Sequence, residues 1–385
     1  MYDVIVLGLG GMGAAAAAEL ARRGRRVLGL EQFSPAHDRG SSHGHTRVIR
    51  TAYFEHPAYV PLVRRAFRLW HELEQRTGRH LLTACPCLSI GPPGGELVQG
   101  VRRAAREHGL AVEDLDPAGL VRRFPLFRFN ESYVGLLEQD AGFVYVERAV
   151  KSFAADALAR GATLRWEEPV RAWDATDAGV TVRTDRDTYQ AGRLVIAAGA
   201  WATSLLGRLG AKLTVMRQVP VWLAPPDPRP FARDRFPIYL ADTPEGTFYG
   251  LPAIDPRGHK VAQHYGAPEL PGPETVDRTV TDADEAPVRA FVRAHLPGAD
   301  GPRTAATVCL YTLTPDRHFV IDRHPEHATV AVAAGFSGHG FKFAPVVGEL
   351  LADLAETGMT DGQTELFRIG RLRRDVGQTT EDRGQ

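Results

Sequence analysis

The chain has 385 residues, 44% of them hydrophobic and 24% charged, and its 46 Lys and Arg residues balance 46 Asp and Glu residues. This length is too great for one compact core, so two domains are expected, and the neutral balance argues against a basic surface for nucleic acid. Apolar runs fall short of the roughly 20 residues that span a bilayer, and no signal-peptide pattern opens the sequence. We therefore expect a cytoplasmic protein that binds neither nucleic acid nor a membrane.

The cysteines indicate a reducing compartment and no metal. Cys85, Cys87 and Cys309 are too few and too irregularly spaced for a disulfide framework. Cys85 and Cys87 are separated by one proline, which lacks both the two-residue spacing and the second pair that structural metal sites use. No metal ligand set is predicted from these residues.

The N-terminal elements are predicted in the order strand, glycine-rich turn, helix, strand and acid. An apolar run at Asp3–Leu7 predicts a strand, the letters GLGGMG at 8–13 predict a tight turn, and the alanine-rich stretch Ala14–Arg23 predicts a helix. A second strand follows at Val27–Leu30 and ends at Glu31. In this context G-x-G-x-x-G is the fingerprint of a unit that binds the ADP part of a dinucleotide.

Each residue of this fingerprint has a physical role. Gly8 permits the tight turn, Gly10 lets a pyrophosphate approach the backbone, and Gly13 lets the helix pack close to the sheet. The helix N-terminus offers unpaired N–H groups to the phosphates. Glu31 is placed to accept hydrogen bonds from ribose hydroxyls, and its charge disfavours the extra phosphate of NADP. The unit by itself leaves FAD and NAD as alternatives.

The rest of the chain changes character twice. Helices are predicted at 59–76, 97–108, 150–159 and 345–356, and strands at 163–166, 180–183, 319–322 and 329–334. An apolar strand from Leu194 runs into a turn at Gly199, which brings backbone close to the same nucleotide. Between Val219 and Thr307 the chain is rich in Pro and aromatic residues, and alternating runs at 247–251 and 260–265 predict a mostly antiparallel sheet.

These elements predict an α/β protein with two domains. A Rossmann-like nucleotide-binding domain is expected to be discontinuous, and a second α+β domain on the mostly antiparallel sheet is expected to hold the substrate. The first is assigned residues 1–80, 146–215 and 315–370, and the second residues 81–145 and 216–314. The polar stretch 371–385 has no periodicity and predicts a flexible tail.

Three stretches carry side chains suited to chemistry. The letters GSSHGHTRVIR at 40–50 place two His and two Arg on a loop that enters a strand, and a guanidinium suits a carboxylate. A solvated basic loop is the alternative for this stretch. The letters AAGFSGHGFKF at 333–343 place Gly338, Gly340 and Lys342 at a helix start, where backbone N–H groups stabilise negative charge. The third stretch, CLYTLTPDRHFVID, begins at Cys309, for which a small buried hydrophobe is the alternative.

Together with AAGAW at 197–201 and FYGLP at 248–252, these stretches resemble the monomeric sarcosine oxidase and N-methyltryptophan oxidase family of flavoproteins. The resemblance runs over nearly the whole chain. It implies an FAD-binding domain of the glutathione-reductase type, with FAD attached to the protein through a cysteine thioether at the flavin 8α-methyl, and the matching residue is Cys309. It also implies a monomer whose partners are a small secondary amino acid and O₂.

The resemblance assigns further roles by position. Arg50 and Lys342 match the pair that binds the substrate carboxylate, and Lys260 matches a lysine that promotes reaction of the reduced flavin with O₂, where a fixed positive charge stabilises superoxide. His45 and the loop at 253–259 depart from the family pattern, where an aspartate and a glycine-rich loop are expected. The matched pocket residues are Tyr249, His264 and Tyr311, and those on the flavin side are His43 and Arg47.

The expected activity is oxidation of sarcosine or another N-methyl amino acid to an imine, with H₂O₂ as the second product. One alternative is a cyclic imino acid such as proline or pipecolate, and another is an amino acid dehydrogenase or oxidase that holds FAD noncovalently. An NAD-dependent reductase is disfavoured because the chain has no second nucleotide fingerprint. A non-enzymatic flavin-binding protein is disfavoured because Arg50, Lys260, His264 and Lys342 occur together.

Overall fold

The structure, a computed structural model, describes residues 1–205, 212–360 and 365–376. The α-helices in these residues are α1 (Gly11–Arg22), α2 (Tyr59–Thr77), α3 (Glu96–His108), α4 (Pro117–Arg123), α5 (Val146–Ala159), α6 (Ala202–Leu205), α7 (Asp282–His295) and α8 (Ala344–Thr357). The strands are β1 (Tyr2–Leu7), β2 (Val27–Leu30), β3 (Thr46–Arg50), β4 (Leu82–Ala84), β5 (Cys87–Gly91), β6 (Val112–Leu115), β7 (Val134–Glu138), β8 (Ala141–Tyr145), β9 (Thr163–Arg165), β10 (Val170–Thr176), β11 (Gly179–Thr184), β12 (Thr188–Ile196), β13 (Thr214–Gln218), β14 (Val221–Leu223), β15 (Ile238–Thr243), β16 (Gly246–Leu251), β17 (His259–Gln263), β18 (Glu269–Leu270), β19 (Arg303–Ala306), β20 (Cys309–Leu313), β21 (Val320–Arg323) and β22 (Val330–Ala334).

The first sheet has a parallel core in the order β9-β2-β1-β12-β22. Strands β10 and β11 extend it on the β12 side, and β21 pairs antiparallel with β22. Helices α1, α5 and α8 pack together over this sheet. The contact between α1 and α8 is close because Gly348 lies on Ala15, where an added Cβ would be 2.8 Å from the Ala15 carbonyl carbon. Small residues thus bring the helix after the glycine-rich turn down onto its neighbours.

The second sheet follows the order β19-β14-β17-β16-β15-β5-β7-β6. Every strand pair in it is antiparallel except β5 with β15, so the predicted mostly antiparallel sheet is confirmed. Its core is aromatic, with Phe231, Tyr239 and Phe248 fully buried together with Phe291 of α7. Such large rings fill the space between a helix and a twisted sheet with few side chains.

Two three-stranded sheets carry the strands that hold predicted site residues. One has the order β3-β8-β4, and Arg50 of β3 pairs with Ala141 of β8. The other has the order β18-β13-β20, and Cys309 of β20 pairs with Gln218 of β13. Residues far apart in the sequence are thereby fixed on neighbouring strands.

The predicted elements agree with the observed ones to within a few residues at most ends, and the α/β class is confirmed. Helix α5 begins at Val146 instead of 150, because the chain turns from β8 into the helix without a side-chain cap that a sequence pattern would reveal. The division of the sheets into two domains stays a prediction. None of the described helices is long and apolar enough to cross a bilayer.

The flexible tail predicted for 371–385 needs correction at its start. Ile369–Val376 forms a 3₁₀-helix, in which Leu372 is buried. Arg371 binds the carboxylate of Asp316 through Nε at 2.7 Å, which anchors this segment to the loop before β21. The polar letters concealed this anchor because its partner lies far away in the sequence. Residues 377–385 lie outside the described part of the chain.

Candidate active site

A continuous cavity of about 1830 Å³, counted to its open mouth, runs from the glycine-rich turn to the loop before α8. Gly13, His43 and Lys260 are absent from its lining and lie behind it. The other predicted site residues all line the cavity: Gly8, Gly10, Glu31, Arg47, Arg50, Gly199, Tyr249, His264, Cys309, Tyr311, Gly338, Gly340 and Lys342.

The glycine-rich turn is closed as its fingerprint requires. Gly8 has φ +85°, and a Cβ there would lie 2.6 Å from the carbonyl oxygen of Ala197. A Cβ at Gly13 would lie 1.7 Å from the carbonyl oxygen of Gly8, so any side chain would force the turn open. The N–H of Gly11, the first residue of α1, donates to Ser42 Oγ at 2.9 Å. The turn, the helix start and the 40–50 loop therefore form one wall.

Glu31 closes the same end of the cavity. Its carboxylate accepts hydrogen bonds from the N–H groups of Leu9 at 2.9 Å and Phe33 at 3.1 Å. Glu31 is buried, and it also lines the cavity. Its carboxylate therefore both holds the turn and borders the cavity at the end of β2. This is the position from which an acid contacts a ribose.

Cys309 lines the cavity beside the partly buried cation of Arg47. Arg47 donates from Nη2 to Cys309 Sγ at 2.9 Å and to the carbonyl oxygen of Ser41 at 3.2 Å. Burial by itself raises the pKa of Cys309, but the charges of Arg47 and Lys260 and a hydrogen bond from His43 outweigh burial and lower it to about 6. The lowered pKa favours the thiolate, the nucleophilic form of cysteine.

Lys260 lies behind the lining. Its Nζ donates to the carbonyl oxygens of Gly44 at 2.7 Å and Thr46 at 2.9 Å, and it stands 5.0 Å from the ring centre of Trp222. Burial lowers the pKa of Lys260 well below its usual value, and the Arg47 charge adds to this effect. Lys260 therefore bonds to the backbone of the turn at 44–46, which directly precedes Arg47.

Arg50 and Lys342 both line the cavity, and Arg50 is paired with an acid. Arg50 donates from Nη2 to Glu55 Oε2 at 2.6 Å and from Nη1 to the carbonyl oxygen of Ala52 at 2.8 Å. Burial raises the pKa of Glu55, but the charges of Arg50, His339 and Lys342 outweigh burial and lower it to about 2. Glu55 Oε1 accepts no hydrogen bond within the described residues. A largely buried carboxylate thus stands beside the cation predicted to bind the substrate carboxylate.

Hydrogen bonds to its own loop and to Tyr53 hold the Lys342 ammonium in place. Its Nζ donates to the carbonyl oxygen of His339 at 2.7 Å and to the Tyr53 hydroxyl at 3.3 Å. Burial lowers the pKa of Lys342 to about 7, and the Arg50 charge adds to this while Glu55 opposes it. The ammonium is poised to lose or gain its proton near neutral pH, which makes it sensitive to an arriving anion.

The matched pocket residues are uncharged. His264 Nδ1 lies 3.2 Å from the Tyr311 hydroxyl, and burial lowers the pKa of His264 to about 3. Burial raises the pKa of both Tyr249 and Tyr311 above the usual value for a phenol. Gly338 allows the close approach here, because a Cβ would lie 2.3 Å from the Tyr311 ring. These groups offer hydrogen bonds without adding charge.

Sequence reasoning missed Glu55, Ser42 and His339. Glu55 follows Arg50 by a short loop, and no local signal distinguishes a buried acid from an exposed one there. The two departures from the family pattern meet in space, because His45 Nδ1 lies 3.2 Å from Asp255 Oδ2. The changed loop at 253–259 therefore places an acid beside the changed residue at 45.

Comparisons with known proteins agree over nearly the whole chain. A sequence model of the family described as FAD dependent oxidoreductase matches residues 3–354. A monomeric sarcosine oxidase from Streptomyces avermitilis is 46% identical over 376 residues, 96% of this chain and 98% of that protein. An N-methyl-L-tryptophan oxidase from Salmonella agona is 36% identical over 373 residues, 96% and 99% of the two chains. NikD, an unusual amino acid oxidase essential for nikkomycin biosynthesis, has a solved structure that matches with a TM-score of 0.82 at 29% identity, covering 96% of each chain.

The cavity fits the cofactor that this family carries. A Cβ would fill the turn at Gly8 and Gly13, and the N-terminus of α1 and the Glu31 carboxylate face the same end, as binding of an ADP group requires. Arg47 supplies positive charge to the cavity, which favours a reduced anionic flavin. The predicted family is confirmed, and the residues assigned to the FAD site stay a prediction. The chain belongs to the FAD-dependent oxidoreductases, and its cofactor is FAD.

Proposed function

We propose that this protein is a monomeric, cytoplasmic oxidase of small N-methyl amino acids, with sarcosine as the first candidate substrate and H₂O₂ as a product. The observation that carries the proposal is that one cavity gathers three groups suited to this reaction. The dinucleotide turn, the Cys309–Arg47 pair, and Arg50 with Lys342 all line it. Relatives named as oxidases of sarcosine and N-methyl-L-tryptophan support the same reading.

The reaction removes two electrons from a carbon–nitrogen bond. The C–H bond next to the amine nitrogen breaks, the nitrogen lone pair forms an imine, and water then hydrolyses the imine to an aldehyde and an amine. When bound, FAD supplies the two-electron acceptor and passes the electrons to O₂, which becomes H₂O₂. The protein's part is to hold the substrate by its carboxylate, to keep the amine unprotonated, and to supply charge.

Arg50 and Lys342 are the groups proposed to hold the substrate carboxylate. Arg50 presents a planar fork that matches a carboxylate, and Lys342 adds a second cation from the facing loop. Glu55 occupies Arg50 Nη2, so an incoming carboxylate has to share or displace this internal acid. The exchange of one carboxylate for another keeps the local charge balanced, which limits its cost.

The same charges favour the reactive form of the amine. A nearby cation lowers the pKa of a bound ammonium group, and Arg47, Arg50 and Lys342 all line the cavity. His264 is neutral and pairs with Tyr311, so these side chains can orient the nitrogen without stabilising its protonated form. The negative charge of Glu55 would raise the pKa of the bound ammonium. Its pairing with Arg50 reduces this effect on the amine.

Cys309 is the residue proposed to hold FAD through a thioether at the 8α-methyl. Its low pKa supports this role, because a thiolate beside Arg47 is more nucleophilic than the neutral thiols of Cys85 and Cys87, whose pKa values burial raises. Lys260, behind the same turn, is proposed to supply the positive charge that promotes reaction with O₂.

A peroxide-coupled screen tests the proposed function. Purified protein is expected to release H₂O₂ with sarcosine or another N-methyl amino acid, and not with glycine, which has no N-methyl group. Proline and pipecolate belong in the same screen, and peroxide with these alone would replace the proposal by a cyclic imino acid oxidase. Bleaching of the yellow colour without peroxide would replace it by a dehydrogenase.

Carboxylate binding is expected to weaken as the pH rises through about 7. Lys342, whose pKa burial lowers to about 7, is charged below that pH and neutral above it, whereas His339 and Glu55 titrate near 4 and near 2 because of burial and of the charges around them. The Kd of propionate, a carboxylate without an amine, should rise by up to about tenfold per pH unit above this point.

Equilibrium dialysis of propionate against pH checks this expectation. Lys342→Met should bind propionate weakly at every pH and lose the dependence. Lys151→Met, a change at an exposed lysine on α5, is the matched control and should keep it. An unchanged pH profile in Lys342→Met would show that another group titrates.

A further inference from the structure

Strand β3 carries two cations of the site within five residues, the partly buried Arg47 and the buried Arg50. Its register pairs Arg47 with Val144 and Arg50 with Ala141 on β8. Side chains alternate along a strand, so Arg47 and Arg50 project from opposite faces of β3. Arg47 contacts Cys309, and Arg50 contacts an acid that also lines the cavity. A shift of this one strand would therefore displace both functional cations.

A buried carboxylate holds the backbone directly after β3. Glu138, the last residue of β7, accepts hydrogen bonds from Thr51 N–H at 2.5 Å through Oε1 and from Ala52 N–H at 2.9 Å through Oε2. It is 6% exposed, and burial raises its pKa to about 7 although the two N–H groups and the Arg50 charge oppose the rise. A carboxylate is costly to bury, and here both of its oxygens are used on the residues that follow Arg50.

A second carboxylate holds the backbone directly before β3. Glu147, in the first turn of α5, accepts hydrogen bonds through Oε1 from Gly44 N–H at 2.7 Å and His45 N–H at 3.0 Å. On the other side of the same turn, Lys260 Nζ donates to the carbonyl oxygens of Gly44 and Thr46. The N–H groups of the turn thus donate to the Glu147 carboxylate, and its carbonyl oxygens accept from Lys260. These opposed hydrogen bonds leave the turn little freedom to rotate.

The two acids enclose β8 in the sequence, and β8 is the strand that pairs with β3. The segment from the end of β7 to the start of α5 therefore pairs with β3 along its length. It also bonds to the backbone at each end of β3. Hydrogen-bonded carboxylates behind a site commonly fix the groups that touch the ligand.

We propose that Glu138 and Glu147 are positioning residues that clamp β3 at both ends and so set the places of Arg50 and Arg47 in the cavity. The proposal rests on the proposed function for what each cation does. Glu138 acts on the end that binds the substrate carboxylate, and Glu147 acts on the end that contacts Cys309. Their effects are therefore separable.

Glu138→Gln tests the first half. The amide NH₂ of Gln would face a backbone N–H, a donor against a donor, so the loop after Arg50 has to move. In the flavin-containing enzyme, the Kd of propionate and the KM for sarcosine should rise about 10- to 100-fold. The amount of flavin that stays with acid-precipitated protein should not change. A propionate Kd equal to that of the unmodified enzyme would overturn this half.

Glu147→Ala tests the second half with the opposite pattern, because it removes the oxygen that accepts from both Gly44 and His45, which the amide oxygen of a Gln could replace. The fraction of flavin that stays with acid-precipitated protein should fall, because the turn that carries Arg47 to Cys309 is loosened, while propionate binding changes little. Unchanged flavin retention would overturn this half, and so would an equal loss of propionate binding in both variants, because the effects would not be separable.

Controls distinguish the clamp from general damage. Glu285→Gln makes the same change as Glu138→Gln at a buried Glu on α7, away from β3, and should alter neither readout. If Glu138→Gln does not fold, Glu138→Asp keeps the charge but withdraws the oxygens from the two N–H groups, and it should still weaken propionate binding. Propionate binding to the unmodified enzyme is measured first, and its absence would contradict the proposed function instead of the clamp.

Discussion

Replacement of Cys309 by serine is expected to free the flavin from the polypeptide. In the unmodified protein, purified as a yellow solution, the colour should precipitate with the protein in acid. In Cys309→Ser it should stay in the supernatant, because a serine hydroxyl has no accessible anion at neutral pH and cannot form the thioether. The change is therefore from nearly complete retention to none.

The reason lies in the surroundings of the sulfur. Burial raises the pKa of Cys309. The Arg47 charge and the His43 hydrogen bond, the largest opposing effects, help to lower it to about 6. Cys85→Ser is the matched control, since burial raises the pKa of Cys85 and its thiol contacts the carbonyl oxygen of Phe236 and does not line the cavity. It should keep its colour in the pellet.

Arg47→Met tests the cause separately from the link. Without the guanidinium the pKa of Cys309 should rise, so attachment should be slowed and less flavin should be acid-stable at neutral pH. Raising the pH during reconstitution should restore part of the attachment. Colour that stays in the pellet of Cys309→Ser would refute the link at this residue.

Replacement of Lys260 by methionine is expected to suppress the reaction with O₂ while leaving substrate oxidation intact. A positive charge near a developing anion stabilises it, and a loss of about 100-fold or more is expected in peroxide formation. Anaerobic bleaching of the yellow colour by sarcosine should continue at a similar rate, because Lys260 Nζ bonds to the backbone at Gly44 and Thr46 and not to Arg50 or Lys342.

Lys260 also holds the turn at Gly44 and Thr46, so a structural effect has to be separated from an effect of charge. Lys260→Arg keeps the charge and the donor groups and should retain more O₂ reactivity than Lys260→Met. Lys151→Met is the control for loss of an exposed lysine. Equal losses of anaerobic and aerobic rates in Lys260→Met would assign the residue a structural role only.

The cofactor end of this protein could be predicted from the sequence because its determinants are local. The strand, the glycine turn, the helix and Glu31 follow one another within about thirty residues. Gly8 and Gly13 are required because neighbouring backbone atoms leave no room for a Cβ. Cys309, Arg50 and Lys342 were predicted from resemblance, and all three line the cavity. Alternating runs at 247–251 and 260–265 also predicted two strands of the second sheet, β16 and β17.

The sequence therefore determined the fold class, the dinucleotide turn and the family, all of which depend on short-range patterns. The tertiary structure alone decided that Glu55 stands against Arg50, that Lys260, His43 and Gly13 lie behind the cavity lining, and that two distant acids hold β3. These features depend on pairings between residues far apart in the chain, and a pKa near 6 at Cys309 depends on three such neighbours at once. Burial in a low-dielectric interior is what gives those pairings their strength, and burial is a property of the folded chain.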